Sequence, residues 1–497
     1  MRQLGVGLVY WPELAPLFDD NKILNVLEVE PQAFWELVGG QDGYHYRIND
    51  TIISQIELLP QDKLIHGIGQ PVGGTVDDPI EYFAQLRRVV RRLDPAWVSE
   101  HLSFNRTRVS ERCEESGFLL PPRQSAAGVS TAVSNIRRFC QQVGRPFAFE
   151  TGVSYVRPRS DEIEDGAFIA AIAARARCGI LLDLHNLWCN QLNGRQPVLD
   201  VLEHLPVDRV WELHLAGGME YQGFWLDGHN DAIPAQLLQL AEQVVPQLSN
   251  LAAIIFEILP EHVGRIGIDK VYKQLETLHA LWKLRPPQKI VAARSNVNGV
   301  AHRVTRQGSI TGDPSTEVCA WELSLVAALR GGEIFDHRFA DLQDDPGVAV
   351  LRQLISDARR ASIARALRYS SILLLLGVGP GETHALLNEY FCIHAPTSFA
   401  SLEADRFATF LRSRASLCAA VPYLLETLAF EQALVRATTY GVTTDLVWTI
   451  DPTALFASLD KGCAPTGLKE VTNAMRVSPG MPADSSSEVG GWTPMEK

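Results

Sequence analysis

The chain has 497 residues, 46% of them hydrophobic and 21% charged, the balance of a soluble globular protein long enough for two domains. Its formal net charge of -13 argues against a surface built for nucleic-acid phosphates or anionic lipid. Eight cysteines stand without a CxxC spacing, which indicates neither a thiolate zinc site nor a disulfide scaffold and fits reduced cytoplasmic thiols.

The N-terminal MRQLGVGLVYWPEL lacks the apolar core of a signal peptide. The apolar block around Leu373 falls far short of the roughly 20 residues of a membrane span, so a cytoplasmic protein is expected. From the start to about residue 260, short apolar runs alternate with segments of helical period, the pattern of repeated strand-helix units. Strands are expected from Gly5 to Val9, Val26 to Val29, Leu64 to Ile68, Trp97 to Ser99, Phe147 to Phe149, Ile180 to Leu182, Val210 to Leu213 and Ala253 to Phe256. Helices are expected between them, among others from Ala126 to Val143 and from Asp165 to Arg177. This alternation fits an α/β fold of the (β/α)8 barrel type better than an open doubly wound sheet. The first strand is followed by no GxGxxG, so the sign of a dinucleotide fold is missing.

The barrel is expected to occupy residues 1–284, followed by a polar, Pro- and Gly-containing linker over 285–314. Residues 315–462 read as a mainly helical second domain, including one long helix from Gly347 to Leu376. Glu431 sits on an otherwise apolar helical face there and is expected to be buried and paired with an arginine. The Ser-, Pro- and Gly-rich stretch 463–497 is expected to be a disordered tail.

The chain is organised around LLDLHNLWCN, Leu181 to Asn190: an apolar strand that stops at Asp183, with His185 and Asn186 behind it. Seven of the eight strands run into similar residues, namely Glu30, His66, Glu100-His101, Glu150, Asp183, His214 and Glu257, with Asp227 and His229 in the loop after the seventh. In a parallel barrel all these ends meet on one face. Imidazoles and carboxylates without thiolates suit iron, manganese or zinc, and there are more of them than one ion can use, which points to two or three metals bridged by carboxylates. Glu30 and Glu100 are expected to accept hydrogen bonds from ligand histidines rather than bind metal. His185 and Cys189 are left to structural or supporting roles.

The motifs HGIG at His66, WVSEHLSF around His101, FETGVSY at Glu150, LLDLHNLWCN at Asp183, ELHLAGG at His214, LDGH over 226–229 and IIFEILPEH at Glu257 resemble the multinuclear non-haem iron-dependent oxidative enzymes. These are TIM barrels that modify ribosomally made peptides. The resemblance spans nearly all of residues 1–280. It implies that His66, His101, Glu150, Asp183, Asn186, His214, Asp227, His229 and Glu257 hold two or three irons, Fe(II) or Fe(III), and that all of these but Asn186 form the catalytic set. It implies O2 as co-substrate and a precursor peptide as partner, with cysteine the leading candidate for the modified residue. Three positions depart from the family pattern: Thr151 stands where asparagine is usual, Gly218 where histidine is frequent, and Glu257-Ile258-Leu259 replaces Glu-Arg-Asp. These put substrate choice and the surroundings of the ligands in question, not the ligands. The stretch from ALLNEYFCIHAPTSF to VPYLLETLAFEQAL resembles the helical part of the separate protein that recruits the peptide for such enzymes, here fused to the barrel. The rival readings are a zinc-dependent phosphodiesterase or a two-metal sugar isomerase on the same barrel, and a binding protein in which the barrel is only a scaffold. The peptide, the modified residue and the product cannot be read from the chain.

Overall fold

The computed structural model describes residues 2–20, 22–40, 43–76, 80–109, 112–287, 314–397 and 399–479. Eight parallel strands close into a barrel in sequential order: β1 (Gly5–Val9), β2 (Val26–Val29), β3 (Asp62–Gly67), β4 (Val98–His101), β5 (Phe147–Glu150), β6 (Gly179–Asp183), β7 (Val210–Ala216) and β8 (Ala253–Glu257). The ring shuts where β1 pairs with β2 through Gly7 and Val26 and with β8 through Gly5 and Ala253. The expected (β/α)8 barrel is the observed one. Several strands run a residue or two further than the apolar pattern suggests, because the polar residues at their ends keep the pleat and the register.

Helices follow the strands: α1 (Asp50–Leu58), α2 (Ile80–Leu93), α3 (Ala126–Val143), α4 (Asp165–Ala176), α5 (Leu184–Leu192), α6 (Val198–His204), α7 (Ala235–Val244), α8 (Pro260–Ile266) and α9 (Ile268–Trp282). The third shows why the sequence makes a helix there. Ser125 caps its start by accepting the Gly128 amide at 3.2 Å, and Gly144 ends it at φ 69°, a conformation glycine adopts without steric cost. Between these signals Val129, Val133, Ile136 and Phe139 are buried on one face. Among the described residues three hairpins interrupt the barrel units, Trp35–Gly40 with Gly43–Ile48, Phe104–Val109 with Arg112–Leu120, and Met219–Tyr221 with Phe224–Leu226. None was evident from apolar periodicity.

The chain forms two compact units. The first is the barrel together with everything up to Leu351 except residues 36–47 and 114–118. It includes α10 (Pro314–Leu329), whose Trp321 indole donates to the Pro121 carbonyl at 3.0 Å and whose Glu322 accepts the Thr75 amide at 2.7 Å. The expected linker lies outside the described residues from 288 to 313, and the division between units falls at Leu351 rather than at 315.

The second unit comprises residues 36–47, 114–118 and 352 onward and is mainly helical. Leu367, Leu374, Tyr390, Phe407, Leu411, Leu424 and Leu428 belong to its apolar core, and Tyr46 packs on Phe399. The helix expected from Gly347 to Leu376 is two, Pro346–Ala366 and Arg368–Gly377, with Leu367 out of helical geometry at φ -120° and ψ 53°. Glu431 explains the break. It is buried as expected, but among the described residues no arginine forms an ion pair with its carboxylate, which instead accepts the amides of Tyr369 at 2.7 Å and Ser370 at 2.9 Å, closing the start of the second helix. The tail expected over 463–497 contains a strand, Glu470–Val477, antiparallel to Thr444–Ile450, favoured by alternation of Val471, Met475 and Val477 with polar residues. Residues 480–497 lie outside the described residues.

Replacing Glu431 by leucine strands two buried amides, so this variant is expected to lose about 1–3 kcal/mol per amide left unpaired, measured by chemical denaturation. Glu431→Gln, which can still accept one bond, is expected to lose less.

Candidate metal centre

Side chains of a strand alternate between faces, so residues two apart share the barrel interior. Val26, Leu64, Trp97, Ala148, Leu181 and Ile255 belong to one buried apolar cluster. Two residues further along the same strands stand Glu28, His66, Ser99, Glu150, Asp183 and Glu257. On β7 both layers are polar, Glu212 then His214. The pleat thus turns an apolar plug at the bottom of the barrel into a polar layer at its carboxyl end. Glu28, Asp183, Glu212 and His214 have no solvent exposure at all.

These side chains form five groups of three ligand atoms able to hold a metal ion, among the described residues. Glu150 is central to the first, with Oε2 2.7 Å from His101 Nδ1 and 3.0 Å from His66 Nε2. It recurs in a second group with Asp183 and His214. Asp183 recurs in a third with His229 and Glu257, where His214 Nδ1 lies 3.1 Å from Glu257 Oε1 and His229 Nε2 lies 3.5 Å from Glu257 Oε2. The remaining groups are Glu28 with His214 and Glu257, and His185 with Asp227 and His229. Supporting bonds fix the rings: Ser99 Oγ lies 2.9 Å from His66 Nδ1, and Glu28 Oε2 lies 3.3 Å from His214 Nε2. Such partners hold a ring so that its other nitrogen faces the centre.

The stretch LLDLHNLWCN is a strand only as far as Asp183. There α5 begins, with Asp183 as its cap accepting the Asn186 amide at 2.8 Å. The helical turn brings Asn186 back over the centre, its Nδ2 donating to Asp183 Oδ2 at 3.0 Å and Glu150 Oε1 at 3.2 Å. It also brings His185 against a neighbour of the centre: its Nδ1 lies 2.8 Å from Asp227 Oδ1, the kind of supporting place expected for it. All nine residues expected as ligands meet here. Glu100 does not meet a histidine ring; it accepts the main-chain amides of Gln70 and, at 3.1 Å, His101, and the Tyr82 hydroxyl at 3.2 Å. Sequence reasoning missed Glu28 and Glu212. Each is a carboxylate inside an apolar run, two residues before Glu30 and His214 respectively, and that alternation was the available signal. The Trp97 indole donates to Glu212 Oε2 at 2.7 Å.

So many buried charges distort one another. Burial works against the charge on Glu150, but His101 and His66 outweigh it and hold the carboxyl well below its usual range. Burial likewise opposes charge on His101, and Glu150 more than offsets it, pushing the ring up to about 9. Asp183 and Glu28 go the other way: burial, reinforced by neighbouring carboxylates, raises both well above the usual range. Glu30 is pushed up to about 7 by burial and by Glu257. A cation among these groups relieves the repulsion and displaces their protons. The donor set fits one. Glu28 Oε1, Glu150 Oε2, Asn186 Oδ1, His214 Nδ1, His229 Nε2 and Glu257 Oε2 are all buried without a hydrogen bond of acceptable geometry, an arrangement that is costly unless something else pairs with them.

Residues 4–258 match the family described as RiPP precursor modification enzyme MbnB/TglH/ChrH. The chain is 32% identical to a UPF0276 protein of Chromobacterium violaceum over 230 residues, 46% of this chain and 81% of that one. It is 28% identical to another from Caulobacter vibrioides over 283 residues, 56% of this chain and 94% of that one. Among solved structures, it is similar to an L-ribulose 3-epimerase (14% identity, 60% of this chain and 100% of that chain, TM-score 0.34) and to the 3-keto-D-glucoside 4-epimerase YcjR of E. coli (10% identity, 56% and 98%, TM-score 0.35). Fold likeness of this degree does not carry activity. The barrel and its polar carboxyl end define a TIM-barrel protein with a cluster of metal-ligand side chains. The chain belongs to the MbnB/TglH/ChrH family of RiPP precursor modification enzymes, the multinuclear non-haem iron-dependent family that its motifs resemble.

Thr151, at the first departure from the family pattern, accepts the buried Asp183 amide on Oγ1 at 2.9 Å. Thr151→Val keeps the shape and removes the acceptor, so it is expected to cost about 1–3 kcal/mol of stability in denaturant titrations, with metal content falling because Asp183 loses its anchor.

Proposed function

We propose that this chain is an O2-dependent multinuclear iron enzyme that oxidatively modifies a residue, with cysteine the expected one, of a ribosomally synthesised precursor peptide. The observation that carries the reading is the sharing of carboxylates: Glu150 and Asp183 each belong to two ligand groups. The groups His66–His101–Glu150, Glu150–Asp183–His214 and Asp183–His229–Glu257 are thereby linked, as bridged ions require. Asp227 and the free oxygen of Asn186 complete the set. Iron held by these residues supplies one-electron exchange with O2 and lowers the pKa of a bound thiol.

The chain's own residues do the rest. Ser99 and Glu28 orient His66 and His214, and Asn186 ties Glu150 to Asp183 by donating to both. Trp188 and Trp225, with ring centres 5.0 Å apart, stand beside His185 and restrict water on that side of the centre. The helical second unit is assigned the recruiting of the precursor peptide, in keeping with its resemblance to the separate partner of such enzymes.

Anaerobically purified protein is expected to contain iron, and ferrous iron at about 100 times its Kd to stabilise the chain by about 2.7 kcal/mol, read by denaturation with and without chelator. Asp183→Ala and His101→Ala are expected to lose iron and most of that stabilisation. Co-expression with short cysteine-containing peptides encoded beside the gene is expected to change a peptide's mass only when O2 is present. A chain that carries only zinc and leaves every peptide unchanged would overturn the reading.

A further inference from the structure

We propose that His185 is a positioning residue that fixes Asp227 at the metal centre by a hydrogen bond from Nδ1, in a space that glycine at position 218 keeps open. The inference rests on the reading of Asp227 and His229 as metal ligands. These two differ from the other ligands in their support. They lie on a loop after the short hairpin of Met219–Tyr221 and Phe224–Leu226 rather than at a strand end, and His229 adopts φ 43°, a conformation unfavourable for a residue with a Cβ. A loop-borne pair needs something to hold it.

His185 is completely buried, and its Nδ1 lies 2.8 Å from Asp227 Oδ1. The same oxygen lies 2.8 Å from His229 Nε2. On the far side of the ring, Nε2 lies 3.4 Å from the Trp225 indole nitrogen and 3.6 Å from Cys189 Sγ. An indole N–H can only donate, and a thiol is a weak donor. Both therefore meet Nε2 as an acceptor, which leaves the ring proton on Nδ1, pointing at Asp227. A ring so arranged does not ligate an ion; it orients the carboxylate that does. Trp225 is itself fixed by Asn193 at the end of α5, which accepts its amide at 2.8 Å and donates to its carbonyl at 2.9 Å. One helix thus places both the ring and its donor.

Gly218 completes the arrangement. A Cβ there would lie against the Leu226 carbonyl oxygen and 2.7 Å from both His185 Nε2 and Trp225 Nε1, closer than a carbon approaches any of them without something moving. Glycine at 218 thus lets the chain pass against the Leu226 main chain, the His185 ring and the Trp225 indole together.

The test uses the full chain with cobalt(II), whose visible spectrum reports coordination, in competition with a chelator. His185→Leu removes the donor and is expected to weaken binding at the Asp227–His229 position about 10–100-fold and to change the cobalt spectrum. His185→Asn carries a donor where Nδ1 stands and is expected to restore both. Gly218→Ala, whose methyl would press on the Leu226 carbonyl as well as on the His185 ring and the Trp225 indole, is expected to weaken binding too and gives a second reading if the leucine variant fails to fold. Wild-type affinity and spectrum in both His185→Leu and Gly218→Ala would overturn the proposal alone. Equal loss in His185→Asn and His185→Leu would overturn the hydrogen-bonding role. A wild-type chain that binds no cobalt or iron would overturn the metal reading along with it.

Discussion

The structure turns on a single electrostatic constraint. The carboxyl end of the barrel buries Glu28, Glu150, Asp183, Glu212 and Glu257 within a few ångströms of four imidazoles. Isolated buried carboxylates are too costly to keep charged, and each here is tied to an imidazole, an indole or an amide. Even so, several donor atoms end without a hydrogen bond. An interior of this kind is arranged for positive charge from outside the chain, and the strand lengths, the cap of α5 and the supporting bonds all serve to hold it in register.

Much of this was legible in the sequence because the signals were local. Eight apolar runs with helical segments between them fit a parallel barrel better than an open doubly wound sheet. Most of the clustered side chains were legible because they end apolar runs. Glu28 and Glu212 were harder: a carboxylate inside an apolar run looks like an interruption until the barrel interior is known to turn polar at that height. His185 was harder to place for a different reason: strand alternation does not apply past Asp183, where hydrogen bonding changes to helix, and its partner Asp227 comes from a loop distant in sequence. The hairpins after β2 and β4 were invisible for want of apolar alternation.

The second unit gives a parallel lesson. Its helices followed from periodicity, but the break at Leu367 did not, because it depends on Glu431 from a helix some sixty residues away, with Glu431 Oε1 accepting the Tyr369 amide. The same holds for Glu470–Val477, where a polar, serine-poor segment becomes a strand only because Thr444–Ile450 offers it an edge. Long-range partners decide such elements, and composition does not record them.

Asp183 has two tasks at once. Through Oδ1 it closes the first turn of α5, and as a member of two ligand groups it faces the centre. A carboxylate that also terminates a helix cannot swing to follow whatever ion arrives, so its bite is set by backbone geometry. Selectivity at this position is therefore mechanical in origin. An ion that needs a different reach from Asp183 must disturb the first turn of the helix to obtain it.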